Sequence, residues 1–287
     1  MGEVAEPVFP RIAIVGLGLI GGSIAFAARR AWPTTHVVAI DREPVLREAL
    51  SRRAIDAAAD NLAAVGAADL VILAAPVLQN VVLLRQVAPH VAPAAVITDV
   101  GGTKRTIVEA AASLAEPVTF VGGHPLGGGA RGGFEFATAA LFARRPWIFT
   151  PLKTPAAAVA RLEAFVTAFG AVPATMSAAE HDRLLSLISH LPQLAATALM
   201  EVVGRATGAG LKMAGQGLVD TTRLASSPAD VWRDICVSNR DEIRFALDLL
   251  IDRLSEMRAD LERAEVIDAI FADAAQWRIE LMKGRDL

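Results

Sequence analysis

Arg11-Ile12-Ala13-Ile14-Val15 runs straight into Gly16-Leu17-Gly18-Leu19-Ile20-Gly21 and then Gly22-Ser23-Ile24-Ala25. A short apolar run of strand length, glycines at three fixed offsets and a helix-period continuation together read as strand, tight turn and helix. In such a turn Gly16 allows the sharp bend, Gly18 lets a pyrophosphate approach the backbone, and Gly21 lets the helix pack closely on the strand. Leu19 and Ile20 open the helix, whose unpaired N–H groups and dipole favour an anion by roughly 0.3 to 1 kcal/mol. The next β-like run, Val37 to Ile40, ends in Asp41, and 41 − 21 = 20 is the expected distance from Gly21 to an acid that reads the ribose. That carboxylate accepts from both ribose hydroxyls of NAD and repels the extra phosphate of NADP, so NAD is the expected cofactor and NADP the less favoured one. Arg42 beside it is a second cofactor-binding candidate, able to pair with a 2′-phosphate, which keeps NADP as the less favoured alternative.

Outward from this unit the chain keeps alternating short β-like runs with helical stretches. Strands are read at Arg11 to Val15, Val37 to Ile40, Leu70 to Ala74, Val96 to Asp99, Thr119 to Val121 and Trp147 to Phe149. Pro33, Pro76, Pro93, Pro125 and Pro151 fall where elements should stop, since proline lacks an N–H and fixes φ. The pattern predicts an α/β fold: a doubly wound parallel (Rossmann) sheet covered by helices on both faces. Beyond Thr154 come a helix to about Phe169, a short apolar run from Val172 to Met176, and then almost continuous helix-period sequence. The change near Ser177 divides the chain into a dinucleotide-binding domain, 1–176, and an α-helical dimerisation and substrate domain, 177–287. Leu247, Leu250, Ile251, Leu254 and Leu261 recur at helical spacing with charged residues between them. Such helices must cover their apolar faces with one another or with a second copy, so a homodimer through the C-terminal helices is expected.

Composition bounds the rest. The 287 residues suit about two domains at roughly 150 each. Hydrophobic residues are 53% of the chain and the net charge is only −3, which disfavours a basic nucleic-acid surface. Cys236 is the single cysteine and cannot form an internal disulfide, which fits a reducing compartment. The opening residues carry acids where a secretory signal needs a basic patch, and no uninterrupted apolar run reaches 18 residues. A cytoplasmic protein with no membrane partner is therefore expected.

Ligands of a doubly wound sheet bind beyond the carboxyl ends of its strands, which brings forward the segments that follow them. These are Ala75-Pro76, expected at the nicotinamide end of the cofactor, Asp99-Val100-Gly101-Gly102-Thr103-Lys104 and Gly122-Gly123-His124-Pro125. Further along lie Glu180-His181-Asp182, Ser189-His190-Leu191-Pro192-Gln193, Thr222-Arg223-Leu224-Ala225 and Val231-Trp232-Arg233-Asp234. With these motifs in this order the sequence resembles the prephenate and arogenate dehydrogenases of tyrosine biosynthesis, over nearly its whole length.

The resemblance implies NAD(P)-dependent oxidative decarboxylation of a cyclohexadienyl substrate by a nucleotide-binding domain and a helical dimerisation domain. It matches His124 to the histidine that contacts the ring hydroxyl and Arg223 to the arginine that binds a substrate carboxylate. The residue types suit that chemistry. Hydride removal from a ring carbinol needs an acceptor for the hydroxyl proton, and a neutral imidazole titrates near the working pH. A guanidinium grips a carboxylate through paired charge-assisted bonds, worth roughly 1.5 to 3 kcal/mol. His190 is a second candidate for substrate binding. His181 and Asp182 read as a helix cap or interdomain bond, Trp232 as core, and Lys104 as a surface or supporting residue.

Three departures from the family pattern bear on substrate. Gly102 stands where the family's active-site serine is expected, leaving Thr103 as a substitute hydroxyl. Gly127 to Gly133, including Arg131, replaces a polar and acidic stretch, and Gln193 stands where some members have a second histidine. They motivate two alternatives: a specialised-pathway dehydrogenase of an amino-substituted prephenate analogue, and a non-catalytic NAD-binding regulator. A dehydrogenase of hydroxy acids or imines is a weaker reading.

Overall fold

The computed structural model describes residues 6–114, 118–127 and 132–283. Its strands are β1 (Arg11–Val15), β2 (His36–Ile40), β3 (Ala57–Ala59), β4 (Leu70–Leu73), β5 (Val96–Asp99), β6 (Thr119–Pro125), β7 (Pro146–Pro151) and β8 (Val172–Thr175). Among them run helices α1 (Leu19–Ala31), α2 (Glu43–Ser51), α3 (Val77–Val87), α4 (Arg105–Ala112) and α5 (Ala156–Thr167). Six more follow: α6 (Ala178–Leu185), α7 (Leu191–Thr207), α8 (Gln216–Thr221), α9 (Ala229–Ser238), α10 (Arg240–Ala259) and α11 (Glu265–Lys283).

Alternation along the strands builds two cores. Ile12, Ile14, Leu70 and Ile72 point into one apolar cluster with Trp32, Phe165 and Phe169, while Ala13, Val15, Val71 and Leu73 point into the other with Leu84, Ile97 and Phe120. Strands buried on both faces have to be continuous apolar runs, as these are. The sheet order is β3-β2-β1-β4-β5-β6-β7-β8, so the winding reverses between β1 and β4 and opens a crevice at their carboxyl ends. Pairing is parallel except between β6 and β7, which are antiparallel with His124 opposite Ile148. β6 therefore continues through Gly122-Gly123-His124-Pro125, four residues beyond the end expected at Val121, and His124 stands on a strand.

The chain divides into two compact units, Met1–Arg240 and Asp241–Leu287. This division falls later than the change of texture at Ser177, because side chains of α6 and of Asn239 after α9 are hydrogen-bonded to the sheet's loops. The helical run Ala178–Met213 has an 18-residue window of mean hydropathy 1.2, long and apolar enough for a membrane span by composition, yet its His181, Asp182 and His190 are buried. In the second unit Asp260 caps α11 by accepting from the Val266 and Ile267 N–H groups. Among the described residues Ile251, Leu254, Phe271 and Trp277 of its apolar stripe are each more than half exposed.

Candidate active site

The crevice between β1 and β4 is a cavity of about 540 Å³ whose lining includes Gly16, Gly18, Asp41, Arg42, Ala75 and Pro76. Gly16 has φ +102°, and a Cβ there would stand 2.7 Å from the Ala74 carbonyl oxygen. A Cβ on Gly21 would collide with the Gly16 oxygen, so the first turn of α1, with Leu19 and Ile20, is pressed against the strand. Beside Gly18 nothing lies within 4 Å of that position. This leaves an open cradle at the amino end of α1, which lacks a side-chain cap. Open backbone, uncapped N–H groups and an acid at the rim are the features a dinucleotide needs. Asp41 is held by the Leu17 N–H (2.6 Å) and the Arg42 N–H (2.6 Å), while the Arg42 side chain extends into solvent. Gln79, on α3, also lines the cavity and was not read from sequence.

His124, Thr103, His190 and Arg223 stand outside that lining, and α9 spans the gap. Asp234 accepts from the Leu78 N–H just past Pro76, and Ile235 packs at Gly102. Ser238 shares a 2.8 Å bond with the buried Thr103 hydroxyl. Asn239 accepts from Arg105 Nη2 (2.9 Å) and donates Nδ2–H to the Asp182 carbonyl (2.8 Å) and to His190 Nδ1 (3.3 Å).

A three-residue chain sets the state of His124. Asp182 Oδ1 lies 2.8 Å from His181 Nδ1, and His181 Nε2 lies 2.9 Å from His124 Nδ1. Burial alone would raise the Asp182 carboxyl, but bonds from His181 and from the Arg105 and Lys104 N–H groups hold it below its usual value, so it is an ionised acceptor. His181 then donates from Nδ1 and accepts at Nε2, His124 donates from Nδ1, and His124 Nε2 keeps a free lone pair. Burial first, then His181, Lys104 and His190, push the His124 pKa well below 6.5. Burial likewise lowers His181 and takes His190 to about 4.

His181 and Asp182 are thus not a cap; of the two expected readings the bond across the Ser177 boundary is the one seen, with Asp182 accepting from the Lys104 and Arg105 N–H groups. Ser177 starts α6, in a reciprocal box with Glu180. At the end of α6 the helix widens: Pro192 has no N–H to give, and Leu191 donates to Ser186 five residues back, which aims His190 inward. His190 is 1% exposed and meets the Trp232 ring edge-to-face. Arg223 lies on an exposed 3-10 turn, Arg223–Ser226. Gln193 holds that turn to α7 by donating to the Leu224 carbonyl (2.7 Å) and accepting from Ser227 Oγ (3.1 Å). Asp220 and Asp234 are engaged elsewhere, and among the described residues Arg223 has no ion pair. Lys104, read as a surface or supporting residue, is fully buried against Asp99. Gly128 to Arg131 lie outside the described residues.

Sheet order and glycine turn put the molecule in the class of Rossmann-fold, dinucleotide-binding proteins. Comparison narrows the class. Residues 24–174 match the family profile "Prephenate dehydrogenase, nucleotide-binding domain" and residues 177–272 match "Prephenate dehydrogenase, dimerization domain". The chain is 35% identical over 277 residues to prephenate dehydrogenase of Bacillus subtilis, covering 93% of this chain and 75% of that protein. It is 30% identical over 289 residues to cyclohexadienyl dehydrogenase of Zymomonas mobilis, covering 98% and 99%. The crystal structure of prephenate dehydrogenase from A. aeolicus in complex with hydroxyphenyl propionate and NAD+ superposes with a TM-score of 0.87 at 27% identity, over 94% of this chain and 98% of that one. The chain belongs to the prephenate dehydrogenase family.

Proposed function

We propose that this protein catalyses NAD-dependent oxidative decarboxylation of a cyclohexadienyl acid, prephenate or arogenate, with His124 as the catalytic base. The observation that carries the reading is the Asp182–His181–His124 chain, which leaves an imidazole lone pair at Nε2. NAD, when bound along the glycine turn, supplies the hydride acceptor. His124 Nε2 takes the proton of the ring hydroxyl as the carbinol C–H leaves as hydride. The resulting dienone loses its ring carboxylate as CO₂, the electron pair aromatises the ring, and the phenolate recovers the proton from His124. No protein acid is needed for the carbon–carbon step. A positioned base supplies roughly 10² to 10⁴-fold, about 3 to 5 kcal/mol of barrier.

In this reading Gly16, Gly18, Leu19, Ile20, Gly21, Asp41, Arg42, Ala75 and Pro76 hold the dinucleotide, and Asp41 favours NAD over NADP. A higher kcat/KM with NADP overturns that preference. Arg223 and His190 bind the substrate's acid groups, and Thr103 supports the site through Ser238 instead of facing the ligand. Residues 1–176 form the cofactor half and 177–287 the dimerising half of a cytoplasmic homodimer. The exposed stripe of α10 and α11 supports the dimer, and a stable monomer in sedimentation at micromolar concentration overturns it.

The test is NADH appearance and CO₂ release with prephenate, arogenate and the 4-amino analogue under saturating NAD. Equal yields of NADH and CO₂ with one of these acids are expected. His124→Asn should lower kcat by about 10² to 10⁴ while NAD affinity holds. NAD binding without turnover of any of the three acids refutes the reading.

A further inference from the structure

Asn239 closes α9 at 0% exposure, and two neighbours leave its amide one orientation. Arg105 Nη2 can only donate, so the amide atom 2.9 Å from it is Oδ1. The Asp182 carbonyl can only accept, so the atom 2.8 Å from that oxygen is Nδ2. The second Nδ2 hydrogen is then directed at His190 Nδ1, 3.3 Å away. A ring nitrogen that accepts carries no proton, and a neutral imidazole then has its single N–H on the other nitrogen. Burial takes the His190 pKa to about 4, so the ring is neutral and its proton sits on Nε2.

The free edge of that ring lies along the site. Trp232, Ile235 and Asn239 share one face of α9 and its cap, three and four residues apart. His190 is bonded to Asn239 at one end of that face and meets the Trp232 ring edge-to-face at the other, 5.9 Å between centroids. Ile235, between them, packs where Gly102 and His124 come together: an added Cβ on Gly102 would stand 3.5 Å from Ile235 Cδ1 and 3.9 Å from His124 Nε2. Among the described residues nothing bonds His190 Nε2, and the enclosed polar atoms without a partner belong to Thr35, Asn80, Trp147 and Thr150 instead. His190 Nε2 is therefore not enclosed, and a ligand can reach it.

We propose that Asn239 is a positioning residue for substrate binding: locked by Arg105 and the Asp182 carbonyl, it donates to His190 Nδ1 and so makes Nε2–H a fixed hydrogen-bond donor to an acid oxygen of the substrate. The proposal rests on the reading of this site as one for a cyclohexadienyl acid. A donor suits such a ligand, whereas the opposite tautomer would turn a lone pair toward a carboxylate and repel it. The same lock opposes a second proton on His190, because an Nδ1–H would face the amide N–H.

NMR of nitrogen-labelled histidine rings in the wild-type protein, at about pH 8 and so above the usual histidine range, should show His190 protonated at Nε2. In Asn239→Asp an acceptor replaces the donor. Arg105 pairs with the new carboxylate and burial keeps the ring singly protonated, so the proton should move to Nδ1. KM for whichever acid is turned over should then rise by roughly 10 to 150-fold, with kcat and NAD affinity changed far less. His190→Ala should raise KM to a similar degree, and Asn239→Asp on that background should add little, because the amide acts through the ring. Protonation at Nδ1 in the wild type overturns the proposal, as does a folded Asn239→Asp with wild-type KM or a double variant whose losses add in full. The wild-type spectrum needs no substitution, so it decides the matter even where Asn239→Asp fails to fold. A wild-type protein that turns over none of the three acids sinks the reading of function instead and leaves the measured tautomer standing, so the two failures are distinguishable.

Discussion

His124 Nδ1 and His181 Nε2 stand 2.9 Å apart, with the rings edge-to-face at 5.1 Å between centroids. One ring edge is therefore committed to the protein and the other is left for a ligand. Replacing His181 by Leu removes the acceptor and frees His124 to turn and to exchange tautomers. Losing one orienting bond of about 1 to 2 kcal/mol should lower kcat by roughly 5 to 30-fold, with KM and NAD affinity little changed. His181→Gln keeps an acceptor oxygen and should recover part of the loss. Unchanged turnover in His181→Leu would mean that the pair does not set the base.

Gly102 can be tested by addition. A Cβ there would meet Ile235 Cδ1 at 3.5 Å and His124 Nε2 at 3.9 Å, both ordinary contacts. Gly102→Ser should fold with an unchanged melting temperature and bring a hydroxyl within reach of the ligand-facing nitrogen. A single neutral hydrogen bond of about 0.5 to 1.5 kcal/mol corresponds to a gain in kcat/KM of roughly 2 to 10-fold. A drop in melting temperature by several degrees would show that the space beside Ile235 is closed.

Arg223 is exposed, without an ion pair among the described residues, on a turn clamped by Gln193. If it grips a substrate carboxylate, Arg223→Ala should raise KM by roughly 10 to 150-fold, matching about 1.5 to 3 kcal/mol, and change kcat far less. Gln193→Ala loosens the turn without removing the charge and should give a smaller increase of the same kind. An Arg223→Ala enzyme with wild-type KM would remove the arginine from the site.

The sheet was legible because β1 and β4 are apolar on both faces, which is what a central parallel strand requires. β3 escaped because Ala57, Ala58 and Ala59 have little strand propensity and pair only through the backbone of β2. Gly122-Gly123-His124-Pro125 imitates a turn; it is strand because Lys104 and Asp99 crowd both glycines and β7 pairs alongside. His124, Asp41 and the glycine turn announced themselves through spacing. His181, Asp182, Asn239 and Lys104 did not, since their roles depend on contacts 49 to 134 positions apart or on burial that local sequence does not encode.

Acid should destabilise the fold in a defined window. The folded-state pKa of His190 is lowered from 6.5 to about 4, with burial the main cause. Between those values the unfolded chain takes up a proton that the native protein refuses, so stability falls as pH drops from about 6.5 to about 4 and is flat above that range. The full loss from His190 alone is about 3 kcal/mol, at 1.36 kcal/mol per unit, and His124 and His181, shifted the same way, add to it. Asp182 acts in a separate, lower window: its carboxyl is depressed, so its contribution disappears only below about pH 4. Urea unfolding followed from pH 7 down to pH 4.5 should show the midpoint falling below pH 6.5, and His190→Gln should fall less steeply over the same interval. Parallel slopes for the two proteins would mean that His190 is protonated in the native state.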